Sequence, residues 1–107
     1  KKVLGCEAVK KEINIEDVAR AVGDYYGVSL SDFLSASRNQ RVSSARHVAV
    51  YLTREITGKS FENIAEFFNK KHTTMLYSYE KIRDELKTNK ELDRSISEIR
   101  IKLKEEE

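Results

Sequence analysis

The sequence contains no proline, four glycines and one cysteine among its 107 residues. Sandwich and barrel folds need many sharp turns, which proline and glycine supply, so their scarcity favours a run of helices. Cys6 cannot form a disulfide within the chain, and neither a second cysteine nor a spaced histidine cluster is present to bind zinc. We therefore predict an all-α fold without a metal, in a reducing, cytoplasmic setting.

The sequence also lacks any apolar run near the roughly 18 residues that a membrane span requires, and its N-terminus has no hydrophobic signal core. We expect no membrane segment. The length fits one small domain with a modest core. Because the chain opens on lysine instead of methionine, we predict a connector at residues 1–12 and one folded domain at residues 13–107.

The excess of positive charge is small over the whole chain but concentrated in its central part. The net charge is only +2, yet seven basic against three acidic residues give positions 36–75 a charge of +4, which leaves −2 for the remainder. A basic centre between mildly acidic ends is typical of a surface that faces DNA. Ordinary solvated charge explains such an excess equally well when it is considered alone.

Polar capping residues and apolar residues at helical spacing predict six helices. Asn14 followed by acidic residues, with Gly27 at the far end, indicates the first helix. Ser29 with Asp32 three positions later indicates a short second one. Helix boundaries read from sequence carry an error of a few residues. The predicted helices run over roughly 15–26, 29–34, 41–57, 61–68, 72–86 and 90–103.

The third predicted helix has a clear division of faces. Residues at a spacing of three and four form its core side: Val42, Ala45, Ala49, Leu52 and Ile56. A second stripe lies roughly a third of a turn away, with Ser43 and His47 at its margins. We predict that this stripe faces outward: Arg46, Val50 and Arg54.

The fourth and fifth helices are joined by Asn69–Lys71, a stretch too short to be anything but a turn between packed helices. The spacing of the fifth helix predicts a buried set: Met75, Leu76, Tyr79, Ile82 and Leu86. It also predicts an outward set: Thr74, Tyr77, Ser78 and Lys81.

The fifth helix opens with His72, Thr73 and Thr74. In a helix-turn-helix the first turn of the recognition helix enters the major groove most deeply. An imidazole, two hydroxyls and two methyls there can bond to base edges and pack on thymine methyls. The alternative is that His72 or Thr73 merely caps the helix. With basic residues on either side, we favour base contact.

Several motifs occur in a fixed order between residues 38 and 82. They are Arg38, Ser44-Ala-Arg-His-Val-Ala-Val-Tyr-Leu52, Glu55-Ile-Thr-Gly58, Ile64, Phe68, His72-Thr-Thr74 and Lys81-Ile82. Together they resemble the C-terminal DNA-binding domain, domain IV, of the bacterial replication initiator DnaA. The resemblance spans about Ile13 to Leu103 and implies a Trp-repressor-like helix-turn-helix. Residues 1–12 then match the end of a linker from an ATPase module.

The resemblance implies sequence-specific binding of duplex boxes of the TTATCCACA type at replication origins, in the bacterial nucleoid. It assigns base contacts to Arg38 in the minor groove, to Arg46 in the major groove, and to His72, Thr73 and Thr74. It assigns backbone contacts to Arg54, Ser60 and Phe61. His47 stands where the family often has glutamine, and we expect it to contact a base or a phosphate.

Lys71 departs from the family, which usually has aspartate before His-Thr-Thr and a longer turn than Phe68-Asn-Lys-Lys71. An acid there accepts from a cytosine amino group, whereas a lysine favours phosphate or guanine. We expect Lys71 to contact a base or a phosphate. Our hypothesis is that affinity is kept while discrimination at one base pair relaxes.

Two other functions are alternatives to DNA binding. An enzyme would need a reactive constellation, and Ser44 with His47 lacks a paired carboxylate. No phosphate-binding glycine loop occurs, so we expect no cofactor here and ATP only in a separate module. A protein-interaction module is the more serious alternative, since Tyr77 and Val50 are predicted to be exposed. We expect a monomer that oligomerises through other domains.

Overall fold

The computed structural model describes residues 13–35 and 39–105, which form six helices and no strand. The helices are α1 (Ile15–Tyr26), α2 (Leu30–Leu34), α3 (Gln40–Thr57), α4 (Phe61–Phe68), α5 (His72–Glu85) and α6 (Lys90–Glu105). The predicted all-α fold and its six helices are confirmed. The predicted connector at residues 1–12, Arg38 and the last two residues of the acidic tail lie outside the described residues.

The predicted caps of the first two helices are present. Asn14 accepts from the backbone N–H of Asp17, whose carboxylate accepts from the N–H of Asn14 in return. Ser29 and Asp32 repeat this reciprocal arrangement at α2. Gly27 ends α1 with a φ of 72°, a left-handed conformation that glycine adopts without steric cost. Local side-chain chemistry therefore sets both helix starts.

Helix α3 is the centre of the domain, packed against α1, α2, α4 and α5. Four of its five predicted core residues are buried, and Ile56 is half-buried. The buried surface extends well beyond this face, because Val48 and Val50 are also enclosed. The prediction that Val50 faces outward is wrong, since its exposed fraction is 0%. Helix α3 thus has buried residues on several sides, because other helices cover it on several sides.

The turn between α4 and α5 has the predicted length. Asn69 adopts a left-handed φ of 58°, and the N–H of Lys70 donates to the Ala65 carbonyl at 3.0 Å. Asparagine tolerates this conformation at a helix end better than most residues do. The Phe68 ring, just before the turn, meets the Phe33 ring edge-to-face at 6.2 Å. The turn is thus anchored to α2 as well as to its own helices.

Helix α6 closes the domain against α1. Asn89 accepts from the backbone N–H of Leu92 as predicted, and the apolar side of α6 is buried through Ile96, Ile99 and Leu103. Over the part of the chain that the structure describes, no helix is long and apolar enough to cross a membrane.

Candidate nucleic-acid interface

The first turn of α5 is exposed, and its side chains form no hydrogen bond with the part of the chain that the structure describes. Lys71 occupies the N-cap position without a side-chain cap, so His72, Thr73 and Thr74 form the first helical turn. All four are exposed, and among the described residues the three that open the helix make no side-chain hydrogen bond. Neither His72 nor Thr73 caps the helix. The hydroxyls and the imidazole remain available to a ligand.

The backbone at this helix start is open as well. The N–H groups of Thr74 and Met75 donate to the Lys71 carbonyl at 3.0 and 3.2 Å. Within the described residues, the N–H groups of His72 and Thr73 have no protein partner. Helix N-termini carry a partial positive charge and attract anions. With the Lys71 side chain beside it, this turn offers donors and positive potential together.

A second cationic corner lies where α3 meets α4. The Arg54 guanidinium stands 4.9 Å from the centre of the Phe61 ring and donates to the Lys59 carbonyl at 2.8 Å. Ser60 caps α4 by accepting from the Asn63 N–H at 3.2 Å. An arginine next to a helix N-terminus is a suitable arrangement for a phosphate. The structure thus brings together the three predicted backbone-contacting residues.

Arg46 does not face outward, contrary to the prediction. Its exposed fraction is 9%, and its Nε and Nη2 donate to the Phe33 and Ser35 carbonyls at 3.1 and 3.3 Å. Burial lowers the pKa of the guanidinium from its usual value. The reason is that α2 covers this side of α3, and the carbonyl groups at the C-terminal end of α2 need hydrogen-bond donors. Arg46 therefore holds the end of α2 through two of its donor atoms.

Lys70 makes a long-range contact that the sequence did not reveal. Its Nζ donates to the Ser35 carbonyl at 2.9 Å, so two cations meet at one acceptor, with Arg46 as the other. Burial and the neighbouring Arg46 lower the pKa of Lys70. Since the contact joins residues 35 positions apart, no local pattern indicates it. Lys70 ties the turn of the helix-turn-helix to α2.

His47 is half-buried between α3 and α5 instead of being free. Its Nδ1 lies 2.7 Å from Ser78 Oγ, its Nε2 lies 3.5 Å from Ser43 Oγ, and its ring meets the Tyr77 ring edge-to-face at 6.1 Å. Desolvation lowers the pKa of His47, and the charges of nearby Lys81 and Arg46 add to the effect. The neutral imidazole is therefore the favoured form inside the fold.

The face assignments of α5 need two corrections. Ser78 was predicted to point outward, but it is fully buried against His47, whereas Leu76 was predicted to be buried and is 38% exposed. Ser78 lies three residues after Met75 and four before Ile82, so its spacing was compatible with the buried face. The prediction for Ser78 was wrong because it equated a polar hydroxyl with exposure to solvent.

The exposed surface of α5 extends beyond its first turn. Tyr77, one turn after Thr73 and Thr74, is 59% exposed, as predicted, and Lys81 follows on the same side. Among the described residues, no hydrogen bond or ion pair links the first turn of α5 to the Arg54 corner. The described residues also contain no group of three or more potential metal ligands.

Comparison with known proteins agrees with this geometry. The sequence model of the family described as the bacterial dnaA protein helix-turn-helix matches residues 15–82. Chromosomal replication initiator proteins DnaA from Caldanaerobacter subterraneus subsp. tengcongensis, Thermoanaerobacter sp. and Thermoanaerobacter pseudethanolicus are each 38% identical over 94 residues. The alignments cover 88% of this chain but only 21% of each relative.

Proposed function

This chain belongs to the family of bacterial DnaA helix-turn-helix domains, and from that premise we propose that it binds double-stranded DNA at short origin boxes of the TTATCCACA type. The proposed role is in the initiation and regulation of bacterial chromosome replication. The observation that carries the proposal is the open first turn of α5, where His72, Thr73 and Thr74 are exposed beside Lys71. The domain is a helix-turn-helix module and not a catalytic one.

The proposed mechanism places α5 in the major groove. Thr73 and Thr74 bond to base edges and pack their methyls on thymine, while His72 donates or accepts. Arg54 and the N-terminus of α4 at Ser60 and Phe61 hold a phosphate and so fix the register. This division matches the general rule that base contacts specify and phosphate contacts position.

Arg38, Arg46 and His47 take different places in the proposal. For Arg38 we propose insertion into a narrow A·T-rich minor groove, whose negative potential attracts a guanidinium. Arg46 and His47 are engaged inside the free domain, so we place their main contribution in holding α2 and α5. Base reading is therefore centred on the first turn of α5.

Lys71 sets the stringency in this proposal. As an exposed cation at the start of α5, it attracts a phosphate or a guanine and cannot accept from cytosine. We expect Lys71→Asp to sharpen discrimination at one base pair, to weaken binding to random duplex, and to stabilise the domain by about 1 kcal/mol through a new N-cap. Lys71→Asn is the matched control, because it caps the helix without a negative charge. Equal discrimination in all three proteins contradicts this assignment.

The decisive experiment is selection of preferred duplexes from a random pool, followed by affinity measurements on the selected box at several salt concentrations. We expect one recurring box and a log–log salt slope of about −0.9 per phosphate neutralised. A protein-interaction module is the alternative, which the exposed Leu76 and Tyr77 favour but the buried Val50 does not. Recovery of no preferred sequence, together with salt-insensitive binding to a protein partner, would establish the alternative.

The remaining proposals concern cofactors and the oligomeric state. We propose that box binding needs no metal or nucleotide, and that ATP acts in an ATPase module of a longer protein. The chain spans about a fifth of the length of the relatives it matches. We also propose that the isolated domain is monomeric and that other domains provide assembly. Sedimentation of the chain, with and without a chelator and duplex, tests both.

A further inference from the structure

Two side-chain hydrogen bonds join α3 to α5 within the described residues. His47 Nδ1 lies 2.7 Å from Ser78 Oγ, and the Tyr79 hydroxyl donates to Glu55 Oε2 at 2.6 Å. On α5 the two partners are adjacent residues, so their side chains leave the helix about 100° apart. On α3 the partners are eight residues apart, which corresponds to about 12 Å along the axis.

Each hydrogen bond is held by its surroundings. The Tyr79 ring stacks on Tyr51 at 5.3 Å and meets the Phe61 ring edge-to-face at 5.5 Å, so its hydroxyl has a fixed position. Acceptance by the Glu55 carboxylate raises the pKa of that hydroxyl. Ser78 is fully buried, and His47 is the partner of its hydroxyl. The His47–Ser78 bond is part-buried, whereas the Tyr79–Glu55 bond lies at the exposed edge of the contact, where the neighbouring rings hold the tyrosine.

Apolar and ring contacts hold α5 against the core, and the two hydrogen bonds add directional constraints to them. Met75 and Ile82 are buried against the core, but apolar packing is not directional. A cleft of about 110 Å³ lies beside His47, lined by residues that include Ser44, Ile82 and Glu85. The cleft leaves room beside the α3–α5 contact on this side. Directional bonds at two separated points restrict the rotation of α5 further.

The rotation of α5 matters for the groups at its first turn. Thr73 and Thr74 lie about one turn before Ser78 on the same rigid helix, so any rotation of α5 carries them along. Binding constellations must be held within about 10–20° of the productive geometry. A change of this size at α5 would misplace the two hydroxyls relative to base edges.

We propose that the His47–Ser78 and Glu55–Tyr79 hydrogen bonds set the rotation of α5 and so determine base discrimination, with all four groups acting as positioning residues. This inference rests on the proposed function, because it needs a sequence preference to act upon. It assigns the polar residues inside the α3–α5 contact a role in specificity as well as in stability. Their removal should affect which duplex is preferred more than how strongly duplex in general is bound.

The test uses variants that delete only a hydroxyl, Ser78→Ala and Tyr79→Phe, alone and combined. Discrimination is measured as the ratio of affinities for the selected box and its single-base variants, at a temperature where every variant is folded. Because a net hydrogen bond is modest, we expect each single variant to lose roughly threefold in discrimination and the double variant roughly tenfold. Affinity for random duplex and its salt slope should not change.

The matched control is Tyr25→Phe, which deletes a tyrosine hydroxyl that bonds to Glu98 at 2.9 Å between α1 and α6, away from α5. It should leave discrimination unchanged. A rescue is available at His47, where Gln retains a hydrogen-bonding group for Ser78 and Leu does not. We expect His47→Gln to discriminate better than His47→Leu. Equal losses in the control and in the α5 variants would reduce the effect to general destabilisation and overturn the inference.

A second readout separates this inference from the proposed function. Residual dipolar couplings of backbone amides report the orientation of α5 relative to α3 without DNA. We expect them to change in the double variant and not in Tyr25→Phe. An unchanged orientation with unchanged discrimination overturns the inference while the proposed function stands. A parent chain without any box preference overturns the proposed function, and the role in specificity with it. If the double variant does not fold, the two single variants decide.

Discussion

The first turn of α5 and the middle of α3 carry similar residue types but present them in opposite ways. On α5, His72, Thr73 and Thr74 are exposed, and within the described residues their side chains make no hydrogen bond. On α3, Arg46 is buried and His47 is half-buried, and their polar atoms bond to α2 and to α5. Residue type alone does not separate the two regions.

The difference shows how a small domain divides its polar groups between holding itself together and meeting a ligand. A donor that already has a buried partner must break that bond before it contacts DNA, and the abandoned acceptor then carries a desolvation penalty. A donor facing water exchanges one partner for another at little cost. We therefore assign base reading to α5 and positioning to α3. The following predictions test this assignment.

The largest expected effect comes from a charge in the buried region. Ala49 in α3 is fully buried, so Ala49→Asp places an unpaired carboxylate in the core. We expect a loss of at least about 4 kcal/mol in the free energy of unfolding, enough to unfold a small domain. Circular dichroism during thermal unfolding measures it. Ser44→Asp, at an exposed position of the same helix, should remain folded, and a folded Ala49→Asp would contradict the central place of α3.

A substitution in the open region should affect only recognition. Thr74→Ala removes a hydroxyl and a methyl at an exposed position, so the free energy of unfolding should hardly change. We expect a loss of roughly 1–3 kcal/mol in binding to the preferred box and little on random duplex. Titrations on both duplexes measure the difference. An equal loss on the two would show that Thr74 does not read a base.

The corner between α3 and α4 should show the opposite profile. Arg54→Ala removes a cation at the proposed phosphate site, and we expect a loss of about 1 kcal/mol on the box and on random duplex alike. The salt slope should become shallower by about 0.9. Affinity series at several salt concentrations measure both quantities. A loss confined to the preferred box would move Arg54 into the base-reading group.

The smallest expected effect concerns pH. Burial lowers the pKa of His47 below the usual 6.5. As the pH falls below 6.5, the unfolded chain therefore binds a proton at His47 more readily than the folded domain does. The stabilising contribution is complete above pH 6.5 and declines as the pH falls through the lowered pKa of the folded state. Unfolding midpoints measured from pH 7.5 down to 5 should fall less steeply for His47→Gln than for the parent chain. Parallel profiles would contradict the enclosed neutral imidazole.

Much of the local structure could be predicted from the sequence, because it depends on neighbours along the chain. Asn14, Ser29 and Ser60 cap their helices through groups three residues away, and Gly27 and Gly58 end helices with left-handed backbone. The position of the first turn of α5 follows from the same local rules. These features gave the helix order and the candidate base-reading residues.

What could not be predicted is which side of each helix another helix covers. Periodicity predicts that Val50 and Arg46 face outward, because they lie off the main apolar stripe of α3, but α2 and its neighbours cover them. Ser78 is buried and Leu76 is exposed, the reverse of the prediction, because α5 turns Ser78 towards His47. Single-helix periodicity assumes one buried face, and the central helix of a bundle has several.

The sequence by itself determined six helices, their ends and a hydroxyl-bearing start to α5, because capping and helical spacing act within a few residues. Only the tertiary structure decided that Arg46 and Lys70 share the Ser35 carbonyl and that His47 bonds to Ser78. These contacts join residues 11 to 35 positions apart. They exist because packing brings the helices together, and a buried polar atom must then find its partner wherever the fold places one.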